Sequence, residues 1–282
     1  MFESPIEVIF CLTMTFLSYA GNTMIILVMT SSQSQPRAKT TRILFSFLAI
    51  NDMCFMTLDL LKMMLFIGLI KTRADLRIAF ILMLAIRDYS NWILVVISTE
   101  RFLCIFRPLT VKNCCHKRCV ITVLVTIFCT LVGLGVFLQL YNSFLFVVCF
   151  ELSVSFASPL LILTVETIFI VVKLRKMGRQ PIRRNAQKQP NNSATGLLIA
   201  ANICFIITML PFRAIYLLRL IDINPEYREI LTTVTSIVLH LMTLNYVLNF
   251  YLYFAFNANF RRDTFKLIGY KQITAGQSTN DE

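Results

Sequence analysis

Charge is scarce in this chain. Only 15% of its 282 residues are charged and 57% are hydrophobic, where a soluble domain carries roughly 25% charged and about 45–50% apolar residues. So few charges cannot cover a water-exposed globule, and the excess points to a core spread over several membrane spans. Acidic residues are rarer than basic ones, 15 against 27, and histidine occurs twice. No Ser-His-Asp order, no zinc-protease histidine pair and no phosphate-binding glycine loop can be read from it, so the sequence predicts no enzyme. CCHKRC at 114–119 lacks the spacing of a zinc site. Its cysteines read as reduced thiols or as lipid attachment points beside a membrane.

Against that scarcity stand long uncharged runs. Residues 8–30 contain no charge; at about 1.5 Å per residue such a helix is roughly 35 Å long, enough to cross a hydrocarbon core of about 30 Å. Glu3 and Glu7 precede it where a cleaved signal would carry basic residues, so it reads as a retained first span behind an outer N-terminus of residues 1–7. Six further apolar stretches follow, near 43–69, 77–105, 119–141, 146–173, 194–219 and 230–256. With seven spans the termini fall on opposite sides. Of the 27 basic residues, 18 lie in alternate loops and the tail and five in the other loops, which predicts N-out and C-in at the plasma membrane. The positive charge then reads as topology and attraction to anionic lipid, and not as a nucleic-acid surface. The expected fold is an all-α membrane protein, a seven-transmembrane helix bundle at 8–256 followed by a short segment at 257–282.

Polar residues inside a span are costly and mark candidate sites. Asp52 falls at mid-membrane in span two. In span three Ser90 precedes Arg101 by about three helical turns, on one face. Asn245, Asn249 and Tyr253 form one stripe in span seven, and Gly21-Asn22 sets a small residue beside an amide in span one. One carboxylate, one hydroxyl and two amides at similar depth suit either a cage for a small hard cation or a polar core that fixes packing.

The order and spacing of these residues resemble a rhodopsin-like (class A) G-protein-coupled receptor over nearly the whole chain. The resemblance rests on Gly21-Asn22, Leu48-Ala49-x-x-Asp52, Glu100-Arg101-Phe102, Pro108-Leu109, Phe205 with Pro211, Pro159, Asn249-Phe250-Tyr251-Leu252-Tyr253, and Asn259-Phe260-Arg261-Arg262. It implies a sodium ion, as an allosteric ligand, at Asp52, Ser90, Asn245 and Asn249. It also implies G-protein contact through Pro108 and Leu109, a coupling role for Tyr253, transmission and packing roles for Asn22, Phe205, Pro211 and Pro159, and a short amphipathic eighth helix with the tail at 257–282. Glu100 is expected to restrain Arg101 as a latch, with Phe102 in place of the family tyrosine. Several positions depart from the family: Phe250 replaces a proline, Thr208-Met209 replace Cys-Trp, and Thr167 replaces a tyrosine. Leu76 stands where a disulfide cysteine is usual, which leaves Cys149 without that partner, and the sequence predicts no structural disulfide.

At the other end, Arg87 and Asp88 lie about 20 Å from Arg101 along span three. Lys62, Glu151, Arg213, Tyr216 and His240, with Met83 where amine receptors of the family carry Asp, complete a polar set. It reads either as internal salt bridges or as a ligand pocket, and span seven has no lysine to hold retinal. The expected function is a receptor that binds an extracellular ligand, a short peptide by preference, and activates a heterotrimeric G protein. The competing reading is an ion-coupled transporter, or a divergent receptor that signals weakly.

Overall fold

The computed structural model describes residues 5–31, 38–68, 76–107, 116–141, 149, 152–178, 192–218 and 228–269. The elements are helices α1 (Pro5–Ser31), α2 (Ala38–Phe66), α3 (Leu76–Phe106) and α4 (Lys117–Tyr141). A π-helical turn (Leu152–Ala157) then runs into α5 (Ser158–Gly178), followed by α6 (Asn192–Leu218). The chain ends in α7 (Arg228–Val247), α8 (Asn249–Phe256) and α9 (Ala258–Leu267). Six of the spans are long and apolar enough to cross a membrane, and α6 carries a shorter apolar stretch, Ile199–Ile215. Together with α8, which continues α7, they make the expected seven-helix bundle.

The bundle is apolar on its outside as well as its inside. Phe16, Leu161, Ile168 and Ile237 are exposed, a distribution that water would not tolerate over so large a surface and that acyl chains require. The inner faces meet in one core in which Leu44, Leu48, Phe55, Ile93, Phe205 and Tyr246 are fully buried. Phe55 and Tyr246 stack at 4.0 Å between ring centroids and join α2 to α7. Met209 is buried in the same core.

Two irregularities sit where function is expected. The fifth span does not start as a plain helix: the π-helical turn ends directly before Ser158-Pro159 and turns Ser155 into the bundle, where it is buried. The seventh span is interrupted at Leu248, between α7 and α8, although the sequence has Phe250 instead of proline. The break coincides with the Tyr246 carbonyl facing α1, where Ser18 Oγ and Asn22 Nδ2 each donate to it at 3.3 Å. Side-chain donors from α1 therefore hold a peptide group that a regular helix would use internally. In α6, Pro211 lies inside the helix and removes one backbone donor. One turn earlier, Thr208 Oγ1 donates back to the Cys204 carbonyl at 2.8 Å, a bond that bends helices.

After α8 the chain turns through Asn257, whose side chain caps α9 by accepting from the backbone N–H groups of Asn259 and Phe260, both at 3.1 Å. Helix α9 is amphipathic: Phe260 and Thr264 are buried while Arg262 and Lys266 are exposed. Phe260 lies against Tyr253 and Phe250, both with centroids at 5.9 Å. The expected eighth helix is thus tied to the seventh span through aromatic contacts. Helix α1 begins at Pro5, and Glu7 in its first turn accepts a 2.6 Å bond from Ser236 on α7.

Gly21 is the residue that lets α8 approach α1. A Cβ placed there would stand 2.9 Å from Phe250 Cβ, well inside van der Waals contact. Gly21→Ala is expected to lower stability by about 1–3 kcal/mol, the usual range for an overpacked contact. Gly133→Ala, which meets open space, should have little effect; thermal unfolding of the two purified variants in detergent checks this.

Candidate functional site

Asp52 is the most deeply buried acid of the bundle, with 0% exposure. Leu48 and Ala49, one turn earlier on α2, are buried with it, so this face of α2 points inward. Ser90 Oγ on α3 donates to Asp52 Oδ1 at 2.7 Å, and Asn249 Nδ2 at the start of α8 donates to Oδ2 at 2.6 Å. One carboxylate thus joins three helices, just past the break at Leu248. Of the four residues expected around a cation, these three meet. Asn245 is buried close by on α7, but its Nδ2 has no hydrogen-bond partner among the described residues, so it is not a ligand of Asp52 in this arrangement. A small hard monovalent cation could take oxygens from a carboxylate with no ion pair among the described residues and from a hydroxyl; the unmatched atom of Asn245 is an Nδ2 donor and gives it no ligand. Asp52, Ser90 and Asn249 would hold it, and it would supply the positive charge that the buried carboxylate lacks.

A second acid organises the other half of the bundle. Asp88 on α3 is 8% exposed. It accepts from Arg87 Nε at 3.1 Å through Oδ1 and from Ser155 Oγ in the π-helical turn at 2.5 Å through Oδ2. Arg213 Nη2 on α6 lies 4.0 Å from the same Oδ1, and Arg213 is 2% exposed. Asn91, one turn along α3, donates to the Ser155 carbonyl at 3.1 Å. The π-helical turn therefore supplies both a donor and an acceptor to α3, which a regular helix could not do from one residue. Of the residues expected to line a ligand pocket, Arg87, Asp88 and Arg213 are instead closed on one another. Glu151 and the side chain of Tyr216 lie outside the described residues.

The remaining three expected pocket residues, Lys62, Met83 and His240, do border open space. A cavity of about 50 Å³ lies between α1, α2, α3 and α7, lined by these three and by Phe10, Cys11, Asp59, Ser236 and Thr243 among others. His240 packs against Phe10, the rings tilted at 48° with centroids 4.4 Å apart. Cys149, near the start of the fifth span, is an exposed free thiol.

The far end of α3 differs from the expected latch. Glu100 is 5% exposed, and Thr41 Oγ1 on α2 lies within hydrogen-bond distance of both its carboxylate oxygens, at 3.1 and 3.0 Å. Among the described residues no ion pair joins it to Arg101. Neighbouring positions on a helix point about 100° apart, and here the acid turns to α2 while Arg101 is only half-buried. Phe102 stacks on Phe106 at 4.5 Å and meets Phe169 of α5 edge-on at 6.3 Å. Pro108 and Leu109 lie outside the described residues.

Several participants were not picked out from sequence. Glu166 in α5 accepts from Thr99 Oγ1 on α3 at 2.7 Å, and its other oxygen is buried with no partner among the described residues. Asn202 on α6 donates to the Leu163 carbonyl at 3.0 Å and to Thr167 Oγ1. Asn51 donates to the Ile86 carbonyl at 2.9 Å. The available signal was an acid or amide inside an uncharged run, the same signal that singled out Asp52.

A seven-helix membrane bundle with polar groups buried between its spans is a receptor-like architecture. Residues 138–271, just under half the chain, match the family described as "Serpentine type 7TM GPCR chemoreceptor Srw". No curated protein matches the chain. The match supports a divergent receptor of the serpentine GPCR type, a non-enzymatic class. It corrects the narrower expectation, since the family matched is one of chemoreceptors and not of rhodopsin-like peptide receptors.

Removing Asp88 would leave two buried guanidinium groups without this carboxylate. Asp88→Ala is expected to cost about 3–5 kcal/mol, as for a broken buried ion pair. Ser155→Ala should cost roughly 1–3 kcal/mol, the penalty of an unmade buried hydrogen bond. Thermal melts of the purified variants in the same detergent measure the difference.

Proposed function

We propose that the chain is a chemosensory G-protein-coupled receptor, oriented N-out in the plasma membrane. It takes up an extracellular ligand near the cavity between α1, α2, α3 and α7, and couples to a heterotrimeric G protein at the end of the bundle that carries α9. The observation that carries this reading is Asp52, a buried carboxylate that ties α2 and α3 to a break in the seventh span. A single group whose bonds cross three helices gives two global states something to differ by. A cation at Asp52 favours the arrangement in which Ser90 and Asn249 stay close. Linkage then requires an activating ligand to weaken that cation by the same factor by which the cation weakens the ligand.

At the opposite end, Arg101 is the cationic group offered to the G protein; among the described residues Glu100 is engaged by Thr41 and not by Arg101. Pro211 and Thr208 weaken α6 near its middle, so its far end swings outward about that point. Phe102, Phe106 and Phe169 join α3 to α5, leaving α6 as the moving element; Asn202 is the bond it must exchange. Tyr253, buried beside Phe45 at 4.7 Å between centroids with its hydroxyl unmatched among the described residues, is positioned to gain a partner in that exchange.

The peptide preference rested on charges that are largely spent on each other: Arg87, Asp88 and Arg213. A cavity of about 50 Å³ admits a small head group, or one end of a longer ligand whose remainder stays outside. The transporter reading draws no support from the sequence, which has no repeated halves.

Two measurements test the proposal. Nucleotide-dependent dissociation of a purified G-protein heterotrimer should be driven by the intact chain on ligand screening and abolished in Arg101→Ala; equal responses from both would contradict the assignment. Sodium should raise the melting temperature relative to an equal ionic strength of choline, and Asp52→Ala should remove that rise. A sodium effect that survives the substitution would rule out Asp52 as its site.

A further inference from the structure

Asp59, Lys62 and His240 face one small cavity without being joined to each other. Asp59 and Lys62 stand one helical turn apart on α2, with side chains about 5–6 Å apart at Cβ, and both line the cavity. Among the described residues, no ion pair within 4.0 Å joins Asp59 to Lys62 or to His240, and no hydrogen bond occupies Asp59. This contrasts with Asp52 and Asp88, whose oxygens are taken by side-chain donors. The imidazole of His240 is held from the α1 side by Phe10, so its position does not depend on either charge. The rest of the wall is chiefly apolar, with Met83 and Leu239 among its residues.

A carboxylate and an ammonium that share a small space with largely apolar walls attract each other across it, but with no ion pair or hydrogen bond closed between them each keeps hydrogen-bonding capacity for a ligand. A ligand carrying only a positive charge satisfies Asp59 and leaves Lys62 facing like charge; a ligand carrying only a negative charge does the reverse. Water satisfies both in the free protein, and a few waters fill a space of this size. A molecule that displaces them must replace bonds to both charges or lose affinity.

Resting on the reading of this cavity as the receptor's ligand site, we propose that it binds a small zwitterion, an ammonium and a carboxylate one carbon apart, of the kind found in a free α-amino acid. The ammonium lies on Asp59. The carboxylate lies on Lys62, with His240 as a second donor. A short apolar side chain is directed onto Phe10, Met83 and Leu239. A peptide offers only one terminal charge to such a space, and an alkylamine or a fatty acid offers one sign.

The test uses the full chain in lipid nanodiscs and reads thermal unfolding with leucine, isoamylamine or 4-methylpentanoic acid added at equal concentration. These probes share one side chain and differ only in their charges. Leucine alone should raise the melting temperature. Asp59→Asn and Lys62→Met should each weaken leucine by about ten- to a hundredfold, the worth of one hydrogen bond to a charged group, while the unliganded Lys62→Met protein melts as before. Lys62 is exposed, so its variant folds and keeps the comparison interpretable even where Asp59→Asn does not express. Isoamylamine matching leucine with Lys62→Met silent would overturn the proposal in favour of a simple cation site. No shift with leucine or any other common amino acid would overturn it outright. A G-protein response to a different ligand, alongside no amino-acid shift, would sink the zwitterion and leave the receptor reading intact. A leucine shift in a chain that drives no G protein would support the site and sink the receptor reading.

Discussion

A bilayer offers no water to a buried donor or acceptor, and that constraint governs this bundle. A polar side chain inside the spans is costly unless it finds a partner on another helix, on its own backbone, or in a small wet space. Four asparagines solve the problem in the same way, by donating to a backbone carbonyl of a neighbouring helix or turn: Asn22 to Tyr246, Asn51 to Ile86, Asn91 to Ser155 and Asn202 to Leu163. Each bond fixes the depth of one element against the next, which apolar packing between helices in lipid does only loosely. The acids work at a higher level, because a carboxylate accepts from several helices at once. Asp52 gathers α2, α3 and α8, and Asp88 gathers α3, the π-helical turn and α6.

The irregular backbone follows from the same constraint. A continuous seventh helix would use the Tyr246 carbonyl internally; the donors Ser18 and Asn22 reach it from α1 and the helix breaks at Leu248. A regular start to the fifth span would have no group to turn toward Asp88, whereas the π-helical turn directs Ser155 inward. Both departures sit beside a buried acid, so the places where the helices are least regular are those where a change of charge has the most purchase. Gly21 completes the design by allowing Phe250 to lie against α1.

Much of this was legible in the residues. Uncharged runs separated by basic loops locate the spans to within a few residues, because length and charge are the quantities a membrane selects on. Asp52, Ser90 and Asn249 are legible because a polar group in an apolar run is costly enough to be rare. Which partner a polar residue takes was less legible. Adjacency in sequence pairs Glu100 with Arg101, but Thr41, some sixty positions earlier, holds it. Arg87, Asp88 and Arg213 read equally well as a pocket or as a closed network, and only their relative placement shows the network. The break at Leu248 was hidden because its cause lies in α1 and not in a proline of the seventh span. That Asp59, Lys62 and His240 face one cavity with no ion pair closed between them is a property of the folded bundle.

The central claim is that these bonds hold a two-state bundle in which α6 moves away from α3 when a G protein engages. The direct measurement is a distance between spin labels, one at the exposed native Cys104 on α3 and one at Ile203→Cys on α6, with the other exposed cysteines replaced. The account predicts that adding nucleotide-free G protein to the full chain in nanodiscs shifts the distance distribution to longer values, and that Arg101→Ala leaves it unmoved. A distribution that stays the same with and without G protein in the unsubstituted chain would contradict it.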